Sequence, residues 1–195
     1  MNKSFVVLAF VAVIVTACGT TPPAKLYTLG AEADAVDSIV KNAQSRRIEL
    51  VSVRIPELWE RPQIVLTKSA SEVGISEFHR WAAPLKAEVP RVVARDLRRL
   101  LDTPDIWLRD DLAGVKPDLR VQVTIERIEA IAGERVQVDA VWAIRPVAAE
   151  TVKVGRTTIT EPMAGSGYDA VINPLRRALS RMTGALAKDV SAMPD

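Results

Sequence analysis

Two side chains in this sequence are of types that carry out much protein chemistry, and each occurs once. Cys18 is the only cysteine and His79 the only histidine among 195 residues. Zinc sites need three or four protein ligands, chiefly cysteine and histidine, so a typical zinc centre is disfavoured. The serine-nucleophile motif G-x-S-x-G and the nucleotide-binding pattern GxxxxGK[ST] are both absent. This inventory predicts that the protein is not an enzyme, with a hydrolase built on His79 as the alternative.

The chemistry open to Cys18 depends on the residues before it. Lys3 is followed by the uninterrupted apolar run "FVVLAFVAVIV" at 5–15 and then by two small residues. A positive charge, an apolar stretch and small residues in this order are typical of a secretory signal peptide. A membrane-spanning helix needs roughly 20 apolar residues, and this run ends well short of that. We therefore predict a signal peptide at 1–17 and export from the cytoplasm.

The tetrapeptide "VTAC", which ends at Cys18, resembles the lipobox of bacterial lipoproteins. The resemblance implies cleavage before Cys18, a diacylglyceryl group in thioether linkage on its sulfur, and an acyl chain on the new amino terminus. Cysteine suits this role because its thiolate is a strong nucleophile, and several acyl chains together hold a membrane firmly. The next residue is Gly19 and not the aspartate that resembles an inner-membrane retention signal, so we expect an outer-membrane anchor facing the periplasm. No other cofactor is expected, and an ordinary secreted protein with a stray cysteine is the alternative.

Composition limits the rest of the chain to an ordinary globular domain. Hydrophobic residues make up 48% and charged residues 26%, which disfavours both disorder and a multi-span membrane protein. The net charge of +2 is too small a bias to indicate a nucleic-acid partner. We predict a lipidated tether and linker at 18–45, because "GTTPP" has turn preferences. The remaining residues, 46–195, are enough for one domain with one core.

Hydrophobic periodicity predicts a sheet with two helices. Apolar residues alternate in "LRVQVTIE" and "VQVDAVWAI", and their connection through Gly133 predicts an antiparallel hairpin. Pro90 removes a backbone hydrogen bond from the first helix, which therefore either begins at Glu88 or is kinked. The fold class is α+β, a mixed or antiparallel sheet with both helices packed on it. The predicted strands are 27–29, 47–53, 63–67, 74–78, 106–108, 119–126, 136–144 and 151–160, and the predicted helices are 84–101 and the apolar stripe at 175–190.

Two segments place tryptophan beside arginine and proline just outside the predicted strands and helix. They are "WERPQIV", which begins at Trp59, and "RWAAPL", which begins at Arg80. Each could be a rigid loop with an aromatic anchor for a partner surface, or a loop stapled locally by arginine stacked on tryptophan. The sequence leaves both interpretations open. The candidate residues for contacting a partner, or for holding the contact surface, are Trp59, Arg61, Pro62, Gln63, Arg80 and Trp81.

The same segments carry a resemblance to a known family. The lipobox, "YTL", "RIPELWERPQIV", "RWAAPL" and the alternating strand pair, in that order, are similar to the PqiC-like ABC-type transport auxiliary lipoproteins, over nearly the whole chain. The resemblance implies a non-catalytic outer-membrane lipoprotein. Its expected partner is a membrane protein with MCE domains, in a system that moves lipids between the two membranes and supports envelope integrity. Homo-oligomerisation is left open, and the alternative function is a periplasmic carrier that encloses an acyl chain in its own cavity.

Overall fold

The computed structural model describes residues 22–30, 46–109, 111–112 and 114–194. The predicted signal peptide, Cys18 and most of the predicted tether lie outside these residues. Among the described helices, none is long and apolar enough to cross a membrane. The elements in chain order are β1 (Lys25–Tyr27), β2 (Ile48–Arg54), β3 (Gln63–Ser69), β4 (Glu72–Trp81), α1 (Leu85–Leu101), β5 (Ile106–Leu108), β6 (Leu119–Ile131), β7 (Arg135–Pro146), β8 (Lys153–Pro162) and α2 (Ile172–Ser191), with short 3-10 turns at Glu57–Trp59 and Tyr168–Val171.

The sheet is built around the long hairpin of β6 and β7. Alternate residues of both strands, such as Val121 and Val138, are buried, and those between them are exposed or half-buried. Gly133 in the turn has φ of +74°, a conformation that glycine adopts without steric cost. β8 pairs antiparallel with β7 along its length. The predicted hairpin and third strand are confirmed.

Two strands follow one another along the second edge of β6. β2 runs parallel to the first half of β6, from Ile48 opposite Leu119, and β5 pairs with the other side of β2. β3 joins the far end of the same edge, where Thr67 pairs with Ile131. β4 is antiparallel to β3, and β1 is parallel to β4. The hairpin predicted at 63–67 and 74–78 is therefore confirmed, and so is the central position of the strand predicted at 47–53.

Both helices cover one face of this mixed sheet, as the α+β prediction requires. α1 packs on β2 and β5, α2 packs on β7 and β8, and the two helices contact each other. α1 begins at Leu85 after Pro84 and continues through Pro90, so a start at Glu88 is wrong. Pro90 stands where its missing N–H would have bonded to the carbonyl of Lys86.

An ion-pair cluster joins α2 to β8. The carboxylate of Glu161 accepts hydrogen bonds from Arg177 at 2.9 Å and from Arg181 at 2.8 Å, and its side chain is only 7% exposed. Burial opposes ionisation of Glu161, but the hydrogen bonds and charges of Arg181 and Arg177 outweigh it and hold the pKa of this carboxyl below its usual value. The cluster therefore ties the helix layer to the outermost strand of the hairpin side.

Candidate anchoring and partner-binding site

The two tryptophan segments, far apart in sequence, meet at one end of the β3–β4 hairpin. Gln63, at the start of β3, pairs with Arg80, near the end of β4. The backbone N–H of Trp81 donates to the carbonyl of Pro62 at 2.7 Å. The six candidate residues thus form one continuous region, whose members differ in how much of each is exposed.

Trp59 lies in the core, where it fills the gap between β2 and β3 on the edge of β6. Its side chain is 2% exposed, and its indole N–H donates to the backbone carbonyl of Ile128 at 2.9 Å. On this edge of β6, β2 pairs as far as Thr124 and β3 pairs at Ile131. Ile128 lies between these two points, where neither strand pairs with β6. The indole therefore supplies the donor that a neighbouring strand would otherwise provide, and Trp59 supports this region from within.

The second tryptophan, Trp81, is also buried, with 4% of its side chain exposed. The accessible candidates are Arg61, Pro62, Gln63 and Arg80. The guanidinium of Arg61 donates to the carbonyl of Leu58 at 3.0 Å, a bond that fixes the loop before β3. Any direct contact with a partner falls to the four accessible residues, while the two tryptophans hold their backbone in place.

The short strand β1 docks beside this region. The carbonyl of Tyr27 accepts from the N–H of Ala82 at 2.7 Å. The N–H of Leu29 donates to the carboxylate of Glu88 on α1 at 2.8 Å, and Leu29 is fully buried. β1 falls inside the stretch 18–45 that we predicted as tether and linker, and it is part of the sheet.

His79 helps to hold β1 in place. The phenol of Tyr27 hydrogen-bonds to Nδ1 of His79 at 2.9 Å. The imidazole stacks between the rings of Tyr27 and Tyr168, with centroids 5.7 and 5.4 Å away. Burial, and then the charge of Asp169, raise the pKa of Tyr27 above its ordinary value, so the phenol stays protonated and can donate. These contacts give the single histidine of the chain a structural role.

A groove lies at the opposite end of β6. It has a volume of about 480 Å³ and is open to solvent. Apolar side chains such as Leu119 and Val147 share its lining with Arg46, Arg47 and Lys116. Within the described part of the chain, no three histidine, cysteine, aspartate or glutamate side chains are grouped so as to hold a metal ion.

Comparison with known families and structures assigns the chain. The model of the family described as the ABC-type transport auxiliary lipoprotein component matches residues 27–187. The chain belongs to this family. The matched range runs from Tyr27 in β1 into α2, so the auxiliary lipoprotein domain includes the docked strand as well as the main sheet. No protein of curated function matches the chain.

Solved structures agree on the fold of this auxiliary lipoprotein. A crystal structure of an uncharacterized protein superimposes with a TM-score of 0.68 at 15% identity, covering 87% of this chain and 99% of that one. A protein from Xanthomonas campestris, of the family DUF330, gives a TM-score of 0.65 at 14% identity, covering 83% of this chain and 92% of that one. At such identities the likeness shows the fold alone.

Sequence reasoning missed how β1 is held. "YTL" was predicted as a strand at 27–29, whereas β1 is Lys25–Tyr27, and its partners lie more than 50 residues further on, at His79 to Trp81. The only sequence feature that pointed to this contact was the scarcity of its rings, since the chain has one histidine and two tyrosines. Composition alone does not place those rings together, so contacts at this separation could not be inferred.

Proposed function

We propose that this protein is a non-catalytic lipoprotein held at the outer membrane by acylated Cys18, where its domain docks the MCE-domain partner of an intermembrane lipid-transport system. Membership of the auxiliary lipoprotein family supports a role beside a transporter. The observation that carries the anchoring role is the position of β1. This strand begins seven residues after Cys18 and pairs with β4, and Leu29, just after it, is bonded to Glu88 of α1.

The spacing between Cys18 and β1 limits how far the domain can move from the bilayer. A fully extended chain spans at most about 3.3–3.6 Å per residue, so seven residues reach about 25 Å. A domain on so short a connection stays close to the membrane surface. Its effective concentration for a partner at that surface is therefore high, and weak contacts are sufficient for docking.

The accessible candidates supply the contact surface in this proposal. Arg61, Pro62, Gln63 and Arg80 lie next to the strand that follows the anchor. A partner that binds them would meet the domain beside the membrane, where lipid leaving the partner could enter the bilayer directly.

In vivo cross-linking in the bacterial envelope tests the two parts of the proposal separately. Replacing Cys18 with alanine should release the protein from the outer-membrane fraction and reduce cross-linking to the MCE partner, because the anchor is lost. Replacing Arg61 and Arg80 together with alanine should leave the protein in the membrane fraction and still reduce cross-linking. Arg156→Ala, an exposed change on β8, is the matched control and should alter neither.

Three results would contradict the proposal. The Cys18 variant could remain in the outer membrane or support barrier function fully, which would exclude the anchor. The double arginine variant could cross-link as well as the unaltered protein, which would exclude the contact surface. A lipid that co-purifies within the domain in native mass spectrometry would favour the alternative carrier function.

A further inference from the structure

The two strands nearest the anchor expose a group of large apolar side chains. In β1, Leu26 is 65% exposed, and in β4 Phe78 is 42%, Val73 40% and Ile75 39% exposed. Single exposed apolar residues are normal on protein surfaces and need no explanation. Four exposed apolar residues on two adjacent strands form a group, and such groups are typical of interaction surfaces. We call these four residues the β1–β4 patch.

Strand pairing shows that the patch occupies one face of the sheet. Leu26 pairs with Arg80 of β4, and Arg80 pairs with Gln63 of β3. Ile75 and Val73 pair with the residues two and four positions further along β3. Leu26 shares the face of Arg80 because the two residues pair. Every second side chain of β3 points to the same face, so Ile75 and Val73, which pair with Val65 and Thr67, share the face of Gln63 and Arg80. The register shifts between the pairs of Gln63 and Val65, and consecutive exposed residues at Glu77 and Phe78 show that the alternation of β4 changes there. Phe78 lies between them along β4.

The opposite face of β4 is already covered. There, His79 stacks on Tyr168 of the 3-10 turn, and this turn packs against β3 and β4. The patch therefore lies on the face turned away from the helix layer.

The length of chain before β1 indicates what covers the patch. Leu26 lies eight residues after Cys18, so it can be no more than about 28 Å from the acylated sulfur along an extended chain. No other exposed apolar group of the described residues is so close in sequence to the anchor. A bilayer that receives the acyl chains of Cys18 is thus within reach of this patch by connectivity alone.

Charge near the patch is compatible with lipid headgroups. Arg80 shares the face of the patch and places a cation beside its apolar side chains, whereas Lys25 pairs with His79 and belongs to the opposite face. Of the acidic side chains of β4, Glu72 forms an ion pair with Lys68 at 3.2 Å, and Glu77 accepts a hydrogen bond from the neutral amide of Gln63 at 3.2 Å. Apolar residues beside an arginine are typical of surfaces that lie in the headgroup region of a membrane.

We propose that the β1–β4 patch is a membrane-facing surface that inserts Leu26 and Phe78 into the headgroup region of the leaflet that carries the acylated Cys18. This inference rests on the anchoring role of Cys18 in the proposed function. The patch and the acyl chains act as two membrane contacts, so the domain has a defined orientation on the bilayer. Gln63 and Arg80, which share the face of the patch, then lie at the bilayer surface, and contact with the partner in this orientation falls mainly to Arg61 and Pro62 in the loop before β3. The groove at Val147, at the other end of β6, is then held away from the bilayer.

Depth-dependent fluorescence quenching tests this orientation. Acylation blocks the thiol of Cys18, so a cysteine introduced elsewhere is the only site for a thiol-reactive fluorophore. Leu26→Cys and Phe78→Cys report on the patch. Val147→Cys is the matched control, because this residue is apolar, 49% exposed and next to the opposite end of β6, where its N–H donates to the carbonyl of Asp118. The full acylated protein is reconstituted into vesicles of phosphatidylethanolamine and phosphatidylglycerol that contain spin-labelled lipid.

The proposal expects several-fold stronger quenching and a blue-shifted emission at positions 26 and 78, with little change at 147. Equal quenching at all three positions, or none at 26 and 78, on protein shown by mass spectrometry to be acylated would overturn the patch and leave the proposed function intact. A chain whose Cys18 is unmodified would overturn both. The double variant Leu26→Asp, Phe78→Asp gives a second measurement, made with a label at position 75 or at position 147. Because both changes are exposed, its circular dichroism should show that the fold is retained. The quenching at positions 75 and 147 should then no longer differ.

Discussion

Replacing Trp59 with phenylalanine removes one hydrogen bond and part of one ring from the point where β2 and β3 meet the edge of β6. The indole N–H is the partner of the Ile128 carbonyl at 2.9 Å. A buried acceptor left without its partner costs about 1–3 kcal/mol. Trp59→Ala also leaves a cavity, since the side chain is 2% exposed, and large aromatic deletions cost about 3–5 kcal/mol. We expect the alanine variant to lose clearly more stability than the phenylalanine variant.

Urea unfolding of the mature protein, followed by circular dichroism, measures both losses. Leu58→Ala is the control, because Leu58 is the residue before Trp59 and is 36% exposed. Surface changes usually alter the free energy of unfolding by no more than about 0.5 kcal/mol. If Trp59→Ala lowered the free energy of unfolding by less than about 1 kcal/mol, the assignment of Trp59 to the core would be refuted. Loss of partner cross-linking by Trp59→Phe without any loss of stability would show direct contact instead.

Two further substitutions probe contacts that hold β1 and β8 in place. Tyr27→Phe removes the hydrogen bond to His79 and should lower stability by about 0.5–1.5 kcal/mol, with faster protease cleavage near β1; unchanged cleavage would show that the bond does not hold the strand. Glu161 has a folded-state pKa below its ordinary value of 4.5, so its contribution to stability is present above pH 4.5 and is lost as the pH falls through the lower folded value. Glu161→Gln should therefore be less stable than the unaltered protein near pH 7 and approach it in acid, and a stability difference that does not depend on pH would contradict this.

The parts of the fold that follow from local pattern could be predicted. β6 and β7 are consecutive strands with strict alternation, so one short window shows both the strand and its buried face. The stripe of α2 repeats at helical spacing for the same reason. In α1 the pattern was equally clear, but Pro90 suggested a later start because proline disfavours a helix interior. Burial of Leu85 and Val89 keeps the first turns helical in spite of it.

The candidate site depends on contacts that no short window contains. The bond from Trp59 to Ile128 joins residues 69 positions apart, and that from Tyr27 to His79 joins residues 52 apart. The placement of β2 and β3 on one edge of β6 could not be read from either strand alone. The sequence could therefore indicate that Trp59 and Trp81 matter, but not that they act from inside the core.

The way in which β1 is attached also determines how the domain bears mechanical load. Any pull on the chain ahead of Lys25 passes first into this strand, which runs alongside β4. A force along the axis of such a strand strains all of its cross-strand hydrogen bonds at once. It then reaches the hydrogen bonds that join Leu29 and Gly30 to α1, at 2.8 Å each. Bonds that share a force in shear fail together and only at high tension, whereas a peeled edge opens one bond at a time. A pull on the chain ahead of β1 is thereby transmitted to the body of the protein through several bonds at once, without detaching this strand.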